Sequence, residues 1–288
     1  MAWMQVLILV GAGAAAGFVA GLIGVGGGII FTPVLLFCLQ QIGTDPVLLP
    51  KLTIGSSLVC TFLAALSSAR HQYREDAVAL RTAGWVGLSS ALAVALMTGL
   101  VTTQPWYDAT LFQIVFASLL LLVALRMIGA SRAAVSGSAA PSTLQPAPQA
   151  SPTLFGIGSA AGAVATAAGV GGGIVLVPAY QHLLRMPMHR TVGTSSATIA
   201  LISAAGIISY AALGWAADVP ATALGYVDAR ALLLALPALF TARLGVAAAH
   251  RLSTQWLRWL FAALAAFVAL RMLYHSITTY KNPSAQLI

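Results

Sequence analysis

Charge is scarce in this 288-residue chain: 7% of its residues are charged, 59% are hydrophobic, and the mean hydropathy is +0.92. Soluble domains carry about 25% charged residues, so this sequence cannot cover a water-facing surface. An integral membrane protein is expected. Acids are the rarer sign, with 6 Asp and Glu against 14 Lys and Arg, and a net charge of +8. All of them (Asp45, Glu75, Asp76, Asp108, Asp218 and Asp228) fall in expected loops or span ends. Cation carriers and proton relays keep an acid inside the membrane. Its absence argues against cation transport and suits an anion carrier.

Other absences narrow the field further. Cys38 and Cys60 are the only cysteines, too few for a disulfide framework and placed in or beside apolar segments like small packing residues. With His71, His182, His189, His250 and His275 they show no ligand spacing, so no metal and no other cofactor is expected. The sequence has no G-K-[ST], and Ile29 stands where G-x-G-x-x-G would need glycine, which excludes a phosphate loop. The bases sit mostly between apolar runs, where they act as topology signals. Nucleic acid is not an expected partner; membrane lipid is.

What is present is a message given twice. "GVGGGIIFTP" (24–33) returns as "GVGGGIVLVP" (169–178), "TIGSS" (53–57) as "TVGTS" (191–195), and "LVALRMI" (122–128) as "FVALRML" (267–273). Three matches in the same order mark a duplicated half. The N-terminal "MAWMQVLILVGAGAAAG" resembles a signal peptide but lacks a positive n-region. As the counterpart of an internal segment near 154–165, it is expected to belong to the fold. The organisation expected is a first transmembrane repeat over 1–129, an Ala/Ser/Pro-rich linker over 130–152, and a second repeat over 153–288.

Apolar runs near 52–69, 83–101, 109–129, 191–213, 231–249 and 256–274 are each long enough to cross a hydrocarbon core as a helix. The glycine segments are too long to do so once. Residues 4–42 form one nearly uncharged stretch of 39 residues, about 58 Å as a helix, or about twice the core thickness. The chain must break, and Gly24–Gly28 and Gly169–Gly173 are the obvious places. Each half is therefore expected to open with a glycine-broken helical hairpin and continue with three transmembrane helices. The fold class is all-α and polytopic, with two inverted repeats. Inversion gathers Arg70, Arg74, Arg81, Arg126, Arg132, Arg185, Arg190, Arg251 and Arg258 on one face, against Lys51, Arg230, Arg271 and Lys281 on the other. The basic face should be cytoplasmic in a cell (plasma or inner) membrane.

Inverted repeats with broken helices are a secondary-transporter architecture, with helix termini and unwound backbone near the midplane. N–H groups at a glycine turn and a helix N-terminus carry partial positive charge that suits an anion. Gly26, Gly27 and Gly28, with Gly171, Gly172 and Gly173, are the candidate backbone of such a site. Gly13, Gly17 and Gly21, spaced four apart, are better read as close-packing contacts. Thr53, Ser56 and Ser57, and Thr194, Ser195 and Ser196, stand near the start of a span, where hydroxyls cap a helix or donate to an anion. Arg243 is the base well inside a span, placed either to snorkel outward or to attract the substrate's charge. A serine hydrolase needs one nucleophile with a histidine in reach. The duplicated hydroxyls provide no unique nucleophile, so no enzyme is expected.

The duplicated G-V-G-G-G-x-x-x-x-P, the T-x-G-[ST]-S that follows each, and the closing "ALRM" resemble the TauE/SafE sulfite exporter family, also called toluene-sulfonate uptake permeases. The likeness covers the chain apart from the linker. It implies a secondary transporter of small sulfur-containing anions such as sulfite, sulfoacetate or other organosulfonates. It also leads one to expect a glycine a few residues after His71, where this chain has Asp76. The expected mechanism is alternating access around a site between the two glycine hairpins. The alternatives are an anion channel and a non-transporting membrane assembly module. A homo-oligomer is compatible with all three.

Overall fold

The computed structural model describes residues 3–23, 27–41, 43–104, 107, 109–135, 151–215, 223–249, 266 and 269–270. Helices account for nearly all of them: α1 (Trp3–Ile23), α2 (Gly28–Gln41), α3 (Leu49–Arg74), α4 (Leu80–Thr103), α5 (Ala109–Val135), α6 (Ser151–Ala168), α7 (Gly173–His182), α8 (Met188–Leu213) and α9 (Ala231–Ala249). A two-residue antiparallel pair, β1 (Ala223–Leu224) and β2 (Val227–Asp228), precedes α9. Among the described residues, α3, α4 and residues 189–213 of α8 are helices long and apolar enough to cross a membrane. The last expected span, 256–274, lies outside the described residues except for Ala266, Ala269 and Leu270, which are helical. The helix α5 runs six residues into the expected linker, and α6 begins at Ser151.

Local chemistry sets the helix ends. Pro50 occupies the first turn of α3 and Pro187 directly precedes α8, positions where a missing N–H costs nothing. Both glycine segments break as their length requires. The returning arms are short: α2 has 14 residues and α7 has 10, about 21 and 15 Å. Neither reaches across a hydrocarbon core of about 30 Å as a helix. Pro33 and Pro178 sit inside these arms, each at the sixth residue, and each deprives the carbonyl four residues back of its usual partner.

The two sets of helices clasp each other. In the repeat, α1 corresponds to α6, α2 to α7, α3 to α8 and α4 to α9. The main neighbour of α1 is α9, and that of α6 is α4. Likewise α3 packs on α9 while α4 packs on α8, and α3 and α8 lie against each other. Every one of these contacts joins one half to the other. Lipid offers no hydrophobic drive for helix association, so close packing through small residues does the work. Gly13 and Gly17 of α1 leave no room for a Cβ against Leu234 and Ala238 of α9. Their counterparts Gly158 and Gly162 of α6 do the same against α4: a Cβ on either would stand 2.5 Å from the carbonyl oxygen of Val86 or Ser90. Two apolar clusters follow the same exchange. One joins Leu9 and Ala16 of α1 to Leu234 and Ala238, and the other joins Leu154 and Ala161 of α6 to Val86 and Val94. A third, around Ile29, Leu52, Ile54, Val170, Tyr210 and Tyr226, combines residues from both halves.

Candidate substrate site

Both short arms start the same way. Gly27 (φ +71°) and Gly172 (φ +77°) adopt the left-handed conformation, which costs other residues about 1–2 kcal/mol. From that position each carbonyl closes the first turn. Gly27 O accepts from Ile30 N (2.9 Å) and Phe31 N (3.1 Å), and Gly172 O from Val175 N (3.0 Å) and Leu176 N (3.1 Å). Gly169 and Gly171 are also left-handed, so the second break reverses the chain through three such residues in four. Gly24, Val25 and Gly26 lie outside the described residues.

The two breaks meet. A Cβ on Gly28 would stand 2.5 Å from Cα of Val170 and 2.9 Å from the carbonyl oxygen of Gly169. The carbonyls at the end of α6, orphaned by the break, are taken up one by one. Thr166 O accepts from the Tyr210 hydroxyl (3.0 Å) and Ala167 O from the Tyr107 hydroxyl. Thr32 Oγ1 donates toward Ala168 O (3.4 Å) and Gly169 O (3.3 Å), and Ser57 Oγ donates to Gly169 O (2.9 Å). Hydroxyls of Thr32, Ser57 and Tyr107 from the first half, with Tyr210 from the second, thus hold the second-half break in place.

The T-x-G-[ST]-S motifs brace the halves across the bundle. Ser56 Oγ accepts from the N–H of Asp228 (2.8 Å), on the hairpin before α9. Its repeat counterpart, Thr194 Oγ1, accepts from the N–H of Ala79 (3.0 Å), on the loop before α4. The preceding glycines let those loops approach. A Cβ on Gly193 would stand 2.5 Å from the Ala77 carbonyl oxygen, and one on Gly55 would collide with the Tyr226 carbonyl. Thr53 Oγ1 donates to Leu49 O (2.6 Å), Ser195 Oγ to Val192 O (3.0 Å), and Ser196 Oγ pairs with Ser68 Oγ (3.2 Å). Of the expected hydroxyls, the structure therefore brings Ser57 against the glycine breaks and directs Ser56 and Thr194 to the loops.

Charge gathers at the rim of the brace. Lys51, 9% exposed, places Nζ 5.5 Å from the Tyr226 ring centre, a cation–π distance. Burial pushes the Tyr226 hydroxyl above its ordinary range. Asp228 is buried in the hairpin, with Arg230 at 3.9 Å. Arg243 is exposed, and its Nε donates to Ser67 Oγ (3.3 Å). Among the described residues no cluster of His, Cys, Asp or Glu could hold a metal.

Several contributors escaped sequence reading: Thr32, Tyr107, Thr166 and Tyr210 around the break, and Thr61 and Ser203 beside it. Thr61 lies one helical turn after Ser57, so the i, i+4 spacing was a usable signal. Nothing comparable marked Tyr107 or Tyr210, whose partners lie on a distant helix.

Membrane-length helices, closed around two glycine-broken segments that meet inside the bundle, define a membrane transporter of the broken-helix kind. The model of the sulfite exporter TauE/SafE family matches residues 9–272, and the chain belongs to that family, one of transporters rather than enzymes. It is similar to a probable membrane transporter protein of Haemophilus influenzae, at 27% identity over 93% of this chain and 97% of that protein. Similar proteins, also named probable membrane transporters, occur in Methanocaldococcus jannaschii (25% identity; 94% and 95% covered) and Bacillus subtilis (25%; 95% and 99%). No solved structure gives a significant match.

Proposed function

We propose that the protein is a secondary transporter that moves a small sulfur-containing anion (sulfite, sulfoacetate or another organosulfonate) across the cell membrane. The observation that carries this reading is the meeting of the two breaks: Gly28 against Gly169 and Val170, with the N-terminus of α7 opening at Gly172. Helix N-termini at unwound backbone favour anions without a fixed counter-charge. The site proposed comprises Gly27, Gly28, Gly171, Gly172 and Gly173, with Ser57 positioning the second break through the Gly169 carbonyl. Arg243 acts at the surface, drawing the anion inward. The repeats sit in opposite orientation, and access alternates as one half rocks against the other.

The test is uptake of labelled sulfite into proteoliposomes. Accumulation above the external concentration, driven by a pH gradient or a membrane potential, is expected. Equilibration without accumulation would make the protein a channel, and no flux at all would leave an assembly module. Gly172→Val adds a branched side chain at φ +77°, where even Cβ meets the Ala161 carbonyl oxygen at 2.7 Å. It should insert and lose transport; normal transport would refute the glycine site.

A further inference from the structure

Almost every buried serine or threonine hydroxyl in this bundle has a partner, most often a carbonyl three or four residues back, as in Thr98 to Val94 (2.7 Å) and Thr198 to Thr194 (2.9 Å). Among the described residues, two do not: Thr61 Oγ1 and Ser203 Oγ, both on fully buried side chains. They come from different helices, α3 and α8, in different halves. Yet both side chains adjoin the same residue, Thr61 through its methyl group and Ser203 through its hydroxyl. A Cβ on Gly171 would stand 2.6 Å from Thr61 Cγ2 and 3.2 Å from Ser203 Oγ. Gly171 is left-handed, at φ +72°. Among the described residues, no carbonyl accepts from its N–H or from that of Gly172.

A buried hydroxyl without a partner is destabilising, and two of them on side chains packed against one glycine call for a common occupant. The repeat sharpens the point. The offset of 138 residues that relates Thr53 to Thr191 relates Thr61 to Ile199 and Ala65 to Ser203. Each orphan hydroxyl therefore has an apolar residue at the matching position of the other half. Ile199 itself flanks Gly171, with Cγ2 2.9 Å from the Cβ position. Symmetric packing did not require these hydroxyls; they make the site one-sided and single.

We propose that Thr61 and Ser203 bind the transported anion, donating their hydroxyl protons to oxygens of a small sulfur oxyanion seated on the N–H groups of Gly171 and Gly172. The inference rests on the transport reading above and names which side chains complete its site. It assigns the ligand to neutral donors from both halves, with the positive end of α7 supplying the field.

The test titrates the purified full-length protein with sodium sulfite, thiosulfate and methanesulfonate, reading thermal stabilisation, with sodium chloride at matched ionic strength as reference. Thr61→Val and Ser203→Ala should each weaken apparent sulfite affinity about tenfold. Thr61→Ser should restore it, and Thr98→Val, which removes a hydroxyl satisfied within its own helix, should leave it unchanged. Without ligand, Thr61→Val and Ser203→Ala should melt at or above the wild-type temperature, because each removes an unsatisfied group. Wild-type stabilisation with unchanged variant titrations would overturn the proposal, leaving the hydroxyls to water. A lower unliganded melting temperature for both variants would also overturn it, as structural hydroxyls. No wild-type response to any of the three anions would refute the transport reading and the proposal together.

Discussion

Gly193→Ala is a one-carbon change that probes the brace between the halves. The new Cβ would stand 2.5 Å from the Ala77 carbonyl oxygen and 2.9 Å from its carbon. Ordinary C···O contacts begin near about 3.3 Å, so the α3–α4 loop must retreat by about 0.8 Å. That loop is tied two residues later by Ala79 N–H to Thr194 Oγ1 at 3.0 Å. A retreat of that size takes the bond beyond hydrogen-bond range. The lost bond costs about 1–3 kcal/mol and the overpacking about 1–3 kcal/mol more. Helix propensity returns about 1 kcal/mol. The net expectation is a destabilisation of about 1–5 kcal/mol. Gly84→Ala, in α4 with nothing within 4 Å of the new atom, receives only the propensity term and should be stabilised by about 0.5–1 kcal/mol. Thermal unfolding in detergent, followed by tryptophan fluorescence, should move the two variants in opposite directions. Adding Thr194→Val to Gly193→Ala should cost less than the sum of the single changes, because the displaced loop has already forfeited that bond. If Gly193→Ala is stabilised like Gly84→Ala, the close-approach argument fails.

Two further outcomes follow from the same geometry. Ser56→Ala leaves the Asp228 N–H without its acceptor, so unfolding should come earlier by about 1–3 kcal/mol; an unchanged melting temperature would detach the hairpin from the brace. Asp76 is left-handed, at φ +51°, so Asp76→Val should destabilise by about 1–2 kcal/mol while Asp76→Gly is neutral or stabilising. Equal melting curves for these two variants would show that the turn does not depend on that backbone conformation.

Much of this fold was legible because bilayer thickness is a ruler. The expected spans at 52–69, 83–101 and 231–249 lie within α3, α4 and α9, and the excess length of the glycine segments forced the breaks that the structure has. The glycine expected by family likeness at position 76 is answered by an aspartate in the conformation that glycine favours. The T-x-G-[ST]-S hydroxyls were legible only as a choice between capping and anion binding. Their partners Asp228 and Ala79 lie 172 and 115 residues away, and no local pattern announces a loop from the other half. Thr61 had only its spacing from Ser57 to mark it, and Ser203 had nothing. A single hydroxyl in an apolar run says nothing until its neighbours are known, and here the missing hydrogen bond is the signal.

The exchanged packing also dictates when this protein can become itself. The helix α1 ends at Ile23 and α4 at Thr103, but their partners α9 and α6 begin at Ala231 and Ser151. Until those segments leave the ribosome, the glycine stripe of α1 and the buried serines of α4 face lipid or whatever insertion machinery shelters them. The first half must therefore wait in the membrane, inserted but unassembled, and neither half is a folding unit alone. A chain cut between 136 and 150 should consequently yield two pieces that are unstable apart and are rescued by co-expression.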